Sequence, residues 1–538
     1  MQSPITFLDG IIILLYLITV LAIGLYVKNS DKNITDYFLA GRKLTWLVIG
    51  ISLFATNISS EHFIGLAGGG ASRGLAIAQF ELIAIFFLIL LGWFIAPIYR
   101  KLEISTTPEF LEKRFNSANR KLFSAISIFT YIFTKILVTL FAGGILFNKI
   151  FGWSIFTSSI IIILLTGIYT IVGGFSAVVR TQVFQGVLLI VGAFLLTIFG
   201  LNRVGGFSVL QEKLSMEYFQ MFKPMSDPDF PWTGIVFGAP IIAFWYWCAD
   251  HYMVQRILGA KSIEHARAGT IVTAFLKILP LFLLVMPGLI AVALFPEVRG
   301  DEAYPLLISS DILPAGIKGM VITGFLAAVM SSLSASFNSI AALYTIDFYL
   351  PNHPDASERT QVLVGRMSTL VIIFIVILLV PFIKLMNSHI YIFLQSTQAF
   401  VSAPIVAIFL FSFFLKKIDS KSVLVTLLIG ELIGGSRFIL EFMFNNGMVT
   451  NPILLEIIRV NYLHFTIFLF VFSSLLLYML SYVFHLGKEI PDSKTILFYD
   501  TNFISLDKGI INIAKTKKQV LLSFFILILT LSLWYLFV

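Results

Sequence analysis

Cysteine is almost absent. Of 538 residues only Cys248 carries a thiol, so no intramolecular disulfide can form and the redox compartment leaves no trace in the chain. Charge is scarce too, at 12% Asp, Glu, Lys and Arg. Those few residues form no metal-ligand cluster, nucleophile arrangement or phosphate-binding loop, which leaves an enzyme reading with little support. No Lys or Arg precedes the first apolar run, 8–27, and that run is too long for a signal-peptide core, so it reads as a permanent helix. Long polar segments are missing as well: the longest breaks, 202–231, 295–314, 445–462 and 488–516, read as loops within a single membrane domain.

What the chain has instead is apolar surface. It is 58% hydrophobic with a mean hydropathy of +0.94, far beyond the usage of a soluble protein of this size. Apolar segments of roughly 20 residues, the length that crosses a hydrocarbon core, begin near Leu8, Leu44, Gly74, Lys121, Ser154, Thr181, Thr233, His265, Gly316, Thr360, Ile390, Val423, Leu463 and Val520. They predict an all-α polytopic protein with about fourteen transmembrane helices in a lipid bilayer. The formal net charge of +8 does not point to nucleic acid. With the N-terminus outside, the loops 28–43, 100–121, 256–267, 359–366, 416–421 and 488–518 share one side and, with Arg180, hold most of the 37 Lys and Arg; this is a positive-inside pattern. Short loops without extracellular cysteines suggest a bacterial inner membrane.

One apolar run is interrupted at its centre, where Phe54-Ala55-Thr56-Asn57-Ile58-Ser59-Ser60-Glu61-His62-Phe63 places Asn, two Ser, Glu and His at mid-depth. Lipid cannot satisfy those groups or an unwound backbone between them, so the segment predicts a broken helix facing a binding site. A second break falls at Trp245-Tyr246-Trp247-Cys248-Ala249-Asp250. Hydropathy allows two sets of five helices, each opening on one of these breaks. That correspondence predicts an inverted-repeat core over 45–415 with its site at the midplane, a peripheral helix at 8–27 and peripheral C-terminal helices over 420–538.

Several charges lie inside predicted spans. Glu81 sits about two turns into its helix and needs a partner: a sugar hydroxyl, an amide, a His, or a neighbouring helix in a purely structural role. His62 is open to three roles, as proton relay, ligand donor or satisfied core imidazole. Lys277 either snorkels along its own stem to an interface or pairs internally, and at about ten residues from the cytoplasmic end its depth favours internal pairing. Lys135, Glu431 and Arg437 read as structural or snorkelling charges. Ser331 and Ser332, in a run of small residues, suit either close helix packing or a sodium site, since a hard cation takes several oxygens and an unwound helix offers carbonyls beside hydroxyls.

Asn57-Ile58-Ser59-Ser60-Glu61-His62-Phe63-Ile64-Gly65, followed by Leu66-Ala67-Gly68-Gly69-Gly70-Ala71, resembles the first core helix of the sodium/glucose cotransporters, a branch of the sodium/solute symporter family. The resemblance extends to Gly173-Gly174-Phe175-Ser176, Trp245-Tyr246-Trp247-Cys248-Ala249-Asp250 with Val254-Gln255-Arg256, Phe275-Leu276-Lys277, Ser331-Ser332, Asp347 and Gln395. It implies a leucine-transporter-type fold with a five-plus-five inverted-repeat core and broken first core helices. It implies further that His62, Glu81, Lys277 and Gln395 hydrogen-bond a sugar, that Tyr246 faces it from the cytoplasmic side supported by Trp247 and Asn57, and that Leu66, Phe80 and Tyr391 form a thin outer gate. Co-transported sodium would lie between Ala55 and Ile58 on the broken helix and Ala328, Ser331 and Ser332 on the later one. Two departures matter. Thr181-Gln182 stands where many relatives place Thr-Asp, which argues against a second sodium and for one sodium per sugar. Ala243 stands where relatives place a polar residue, which leaves the exact sugar open. A sodium symporter for a carboxylate or another small solute, and a sugar-binding sensor without coupled transport, are the alternatives.

Overall fold

The computed structural model describes residues 5–26, 33–385, 390–415, 418–485 and 516–537. Of the expected basic loops 28–43, 416–421 and 488–518, the parts 28–32, 416–417 and 488–515 lie outside the described residues. Regular structure among the described residues is helical, with two isolated bridges, Leu44 to Ala260 and Lys223 to Pro231. The principal helices are α1 (Phe7–Tyr26), α2 (Trp46–Asn57), α3 (Ser60–Arg73), α4 (Gln79–Leu90, continuing to Lys101), α5 (Ser117–Phe151), α6 (Ile155–Val204), α7 (Trp232–Ala249), α8 (His251–Leu258), α9 (Ile263–Leu294), α10 (Ile317–Asn352), α11 (Glu358–Phe382), α12 (Ile390–Phe414), α13 (Ser420–Asn445), α14 (Pro452–Arg459), α15 (Tyr462–Phe484) and α16 (Lys517–Leu536).

Twelve continuous helices among the described residues are long and apolar enough to cross a membrane. They correspond to fourteen hydrophobic segments because two of the twelve are compound. The 50 residues of α6 break at Gly174, whose φ of 52° and ψ of −152° lie outside the helical region, and the apolar stretch Ser60–Lys101 joins α3 to α4. The Gly174 break carries physical meaning: a Cβ there would sit 2.5 Å from the Tyr37 ring, on a backbone that L side chains rarely adopt.

Burial orders the helices around one centre. The apolar window of α10 is 94% buried, against 22% for each of α1, α15 and α16, so α10 is surrounded by protein while the others show most of their surface to lipid. Small residues allow α10 its close neighbours. At the crossing with α6, a Cβ on Gly192 would lie 3.1 Å from the Gly324 Cα, tighter than most side chains meet, so the small residues let the two helices approach closely. Two helices are interrupted, one between α2 and α3 and one between α7 and α8, and each interrupted helix is followed by four further spans.

Candidate functional site

Broken helices leave backbone groups that their own hydrogen-bond ladders cannot use. Between α2 and α3 the chain is extended at Ile58 (φ −78°, ψ 108°) and Ser59 (φ −124°, ψ −175°). The new helix starts on a reciprocal cap: Ser59 accepts from the His62 backbone while the Ser59 N–H reaches His62 Nδ1 at 3.5 Å. Ser59 and Ser60 are anchored to Thr139 of α5, the Ser59 hydroxyl at 3.1 Å from Thr139 Oγ1 and the Ser60 hydroxyl donating to the Thr139 carbonyl at 2.7 Å. The break is therefore held in place by a neighbouring helix.

The last carbonyls of α2 point at α10. Ser331 Oγ donates to Ala55 O at 2.7 Å and to Ala328 O at 2.8 Å, and Ser332 Oγ donates to Thr56 O at 2.9 Å. Ala55, Ala328, Ser331 and Ser332 thus converge as oxygen donors at the negative end of a helix dipole, a set that suits a hard monovalent cation. Ile58 is buried at the C-cap of α2, and the carbonyl that Ser332 engages is that of Thr56 rather than Ile58. Behind this cluster Gln182 accepts from Ser52 Oγ at 2.6 Å and donates to Ser331 O at 3.0 Å. Both ends of its amide are used, and it brings no charge.

On the other side of the break lies a hollow whose walls include Asn57, His62, Phe80, Glu81, Tyr246, Trp247, Lys277, Tyr391 and Gln395. Lys277 stands three residues before Pro280, where α9 is irregular because proline removes a helical donor. Its ammonium donates to Asn57 Oδ1 at 2.7 Å and makes a short contact with Glu81 Oε2. Glu81 Oε1 accepts from the Tyr391 hydroxyl at 3.2 Å and lies 3.7 Å from His62 Nε2. Asn57 Nδ2 donates to the Tyr246 hydroxyl at 3.0 Å, and the Lys277 ammonium lies 5.6 Å from the Trp247 ring centroid. Because His62 Nδ1 accepts from a backbone N–H, a neutral His62 carries its proton on Nε2, the atom nearer Glu81. Gln395 Oε1 has no partner.

Of the three expected gate residues, Phe80 and Tyr391 lie edge to face with ring centroids 6.0 Å apart, and Phe230 extends the aromatic group at 6.1 Å from Phe80. Leu66 is fully buried and does not line the hollow. The same wall carries residues to which sequence reasoning gave no role. Lys135, read as a structural or snorkelling charge, is turned inward, with its Nζ 3.8 Å from the Tyr246 ring centroid and 3.5 Å from Asp250 Oδ2 at the α7–α8 break. Glu61 accepts from Thr139 Oγ1 at 3.0 Å, and Gln398 also faces the hollow, as does Ala243, which the sequence already singles out for selectivity. Depth in an apolar helix was the one available signal for Lys135, and it was the same signal that singled out Lys277.

Three comparisons bear on this arrangement. The model of the sodium:solute symporter family matches residues 37–430. The chain is 37% identical over 530 residues to sodium/glucose cotransporter 1 of Mus musculus, covering 90% of this chain and 79% of that protein. It is 35% identical over 475 residues to sodium/myo-inositol cotransporter 2 of Bos taurus, covering 81% and 70%. Among solved structures, an outward-open Na+-coupled sialic acid symporter superposes with a TM-score of 0.76 at 22% identity, covering 89% of this chain and 98% of that one. This likeness establishes the leucine-transporter-type fold.

Proposed function

The chain belongs to the sodium:solute symporter family, and from that premise we propose that it is a sodium-coupled symporter that takes up a hexose or related polyol by alternating access, with one sodium per sugar. The observation that carries this reading is the chain of buried groups Tyr246, Asn57, Lys277, Glu81 and Tyr391, linked by hydrogen bonds along one wall. Its charges are already paired, so it offers donors and acceptors to a neutral polyol and no free cation to an anion.

In this mechanism His62, Glu81, Lys277 and Gln395 contact sugar hydroxyls, Asn57 and Trp247 hold the wall, and the Tyr246 ring closes the inner side of the sugar. Phe80 and Tyr391 form the outer gate, with Leu66 packing behind it. Sodium, as co-substrate, takes oxygens from Ala55, Ile58, Ala328, Ser331 and Ser332. It ties α2 to α10 and favours the outward-open state; sugar then binds, and one helix bundle rocks against the other. Each sodium that moves inward contributes about 2.3 kcal/mol per 100 mV of membrane potential. Gln182 supplies an amide and no carboxylate, which supports a single sodium. The core is taken as 45–415, with 8–27 and 420–538 peripheral, in a bacterial inner membrane with the N-terminus outside.

A carboxylate substrate is disfavoured because, among the described residues, no Arg lines the hollow to clamp it. The deciding experiment is uptake of radiolabelled glucose, galactose and myo-inositol into proteoliposomes under an inward sodium gradient, against potassium at matched potential. Sodium-dependent overshoot of one sugar establishes symport. Saturable binding without accumulation would instead make the protein a sensor, and no response to any polyol would overturn the sugar reading.

A further inference from the structure

Arg437 is a buried guanidinium that the transport site does not use. Its side chain is 2% exposed; Nη2 donates to Ile458 O at 2.7 Å and Val460 O at 2.9 Å and pairs with Glu441 at 3.0 Å. Nε and Nη1 have no hydrogen-bond partner, an expensive omission for a buried charge. The faces of Phe400 and Phe465, at 5.8 and 5.5 Å, offset only part of that cost.

Two hollows meet at this guanidinium. The first is polar and carries three arginines, Arg73, Arg437 and Arg459, each beside a carboxylate, Asp229, Glu441 and Glu456 in turn. The Tyr462 hydroxyl on its wall is buried and unpartnered. The second is an apolar groove along Ile429, Leu432, Ile433 and Leu440 of α13, closed by Ile457 and Phe465. Those α13 positions share one helix face and extend for about 16 Å, comparable to an acyl chain. The depth of the junction follows from α14, whose terminal carbonyls Arg437 holds. No α14 residue is buried, and Ile453 and Ile457 are exposed beside Glu456 and Arg459. A short amphipathic helix of this kind lies in the membrane interface, at the level of lipid headgroups.

We propose that the junction binds an anionic phospholipid, its phosphate against Arg437, Arg459 and Tyr462 and one acyl chain in the α13 groove. Two N–H groups of Arg437 and the Tyr462 hydroxyl, unpartnered among the described residues, supply donors for phosphate oxygens, and the adjoining groove distinguishes a lipid from a free anion. Because α13 packs on α12, which carries Tyr391 and Gln395, the bound lipid braces the helix that closes the transport site.

The test uses full-length protein in detergent, mixed with phosphatidylglycerol, phosphatidylcholine or inorganic phosphate and followed by native mass spectrometry and melting temperature. Phosphatidylglycerol is expected to be retained about fivefold over phosphatidylcholine, the ratio given by one arginine near a membrane surface, and to raise Tm. Arg437→Gln should abolish the preference. Leu432→Trp, at a position 69% exposed, should abolish retention by filling the groove without touching the core, and it decides the matter alone where Arg437→Gln does not fold. Equal retention of both lipids, undiminished retention in Leu432→Trp, or the same Tm rise from inorganic phosphate overturns the proposal. None of these outcomes depends on sugar transport.

Discussion

Gln395 offers the hollow a carbonyl oxygen that nothing in the protein uses, whereas Lys277 has its charge engaged by Glu81 and Asn57. The two side chains therefore fail differently when removed. Gln395→Ala deletes one ligand hydrogen bond and a side-chain hydrogen bond to Tyr391, so apparent sugar affinity should fall about three- to tenfold with little change in Tm; wild-type affinity in uptake assays would detach Gln395 from the site. Glu81→Gln strands a buried ammonium, at a cost of about 3–5 kcal/mol. Combining it with Lys277→Met removes both charges and should recover much of the lost Tm while transport stays abolished. A double variant no more stable than Glu81→Gln alone would show that the ion pair does not set the stability of this wall.

The sodium oxygens come from two elements, and neither helix holds the set alone. Ser332→Ala removes a hydroxyl that joins α10 to the end of α2, so the sodium concentration for half-maximal uptake should rise while sugar affinity at saturating sodium holds. An unchanged sodium dependence would exclude Ser332. This pairing was legible in the sequence because each partner announces itself locally: the α2–α3 break by polar residues at mid-span, the α10 face by small residues and serines. Lys277 was legible by depth. Lys135 was equally deep, but a helix that is apolar all round gives no periodic signal of which side meets protein, so its direction required the structure. Leu66 was placed on the gate by resemblance alone; it is buried, as Phe80 and Tyr391 are, but does not line the hollow. The turn within α6 shows another limit: apolarity marks a new segment near Thr181, but the backbone breaks at Gly174, since hydropathy has no term for φ. Gly174→Ala should destabilise the protein by about 1–2 kcal/mol or more, read as a lowered Tm; an unaltered Tm would mean that the break tolerates a Cβ.

Alternating access requires part of the molecule to stay fixed while another part moves, and burial suggests which is which. α10, enclosed on nearly all sides, has no free surface along which to slide, whereas α12 presents Tyr391 to the hollow and packs outward on α13 and α15. Sodium joining α2 to α10 would thus fix one side of the site and leave the aromatic gate of Phe80 and Tyr391 to respond to sugar. The scarcity of thiols makes this measurable. Cys248 is the sole cysteine and is 1% exposed, with its Sγ turned toward Phe87 O at 3.6 Å, so a Cys248→Ala background carries no competing thiol. In that background Phe80→Cys should react with an impermeant maleimide faster in sodium than in potassium, because sodium favours the outward-open state, and more slowly again once a transported sugar closes the gate. Labelling that sodium leaves unchanged would sever the cation site from the gate. Labelling that sodium accelerates but sugar leaves unchanged would place the closing element elsewhere than at Phe80.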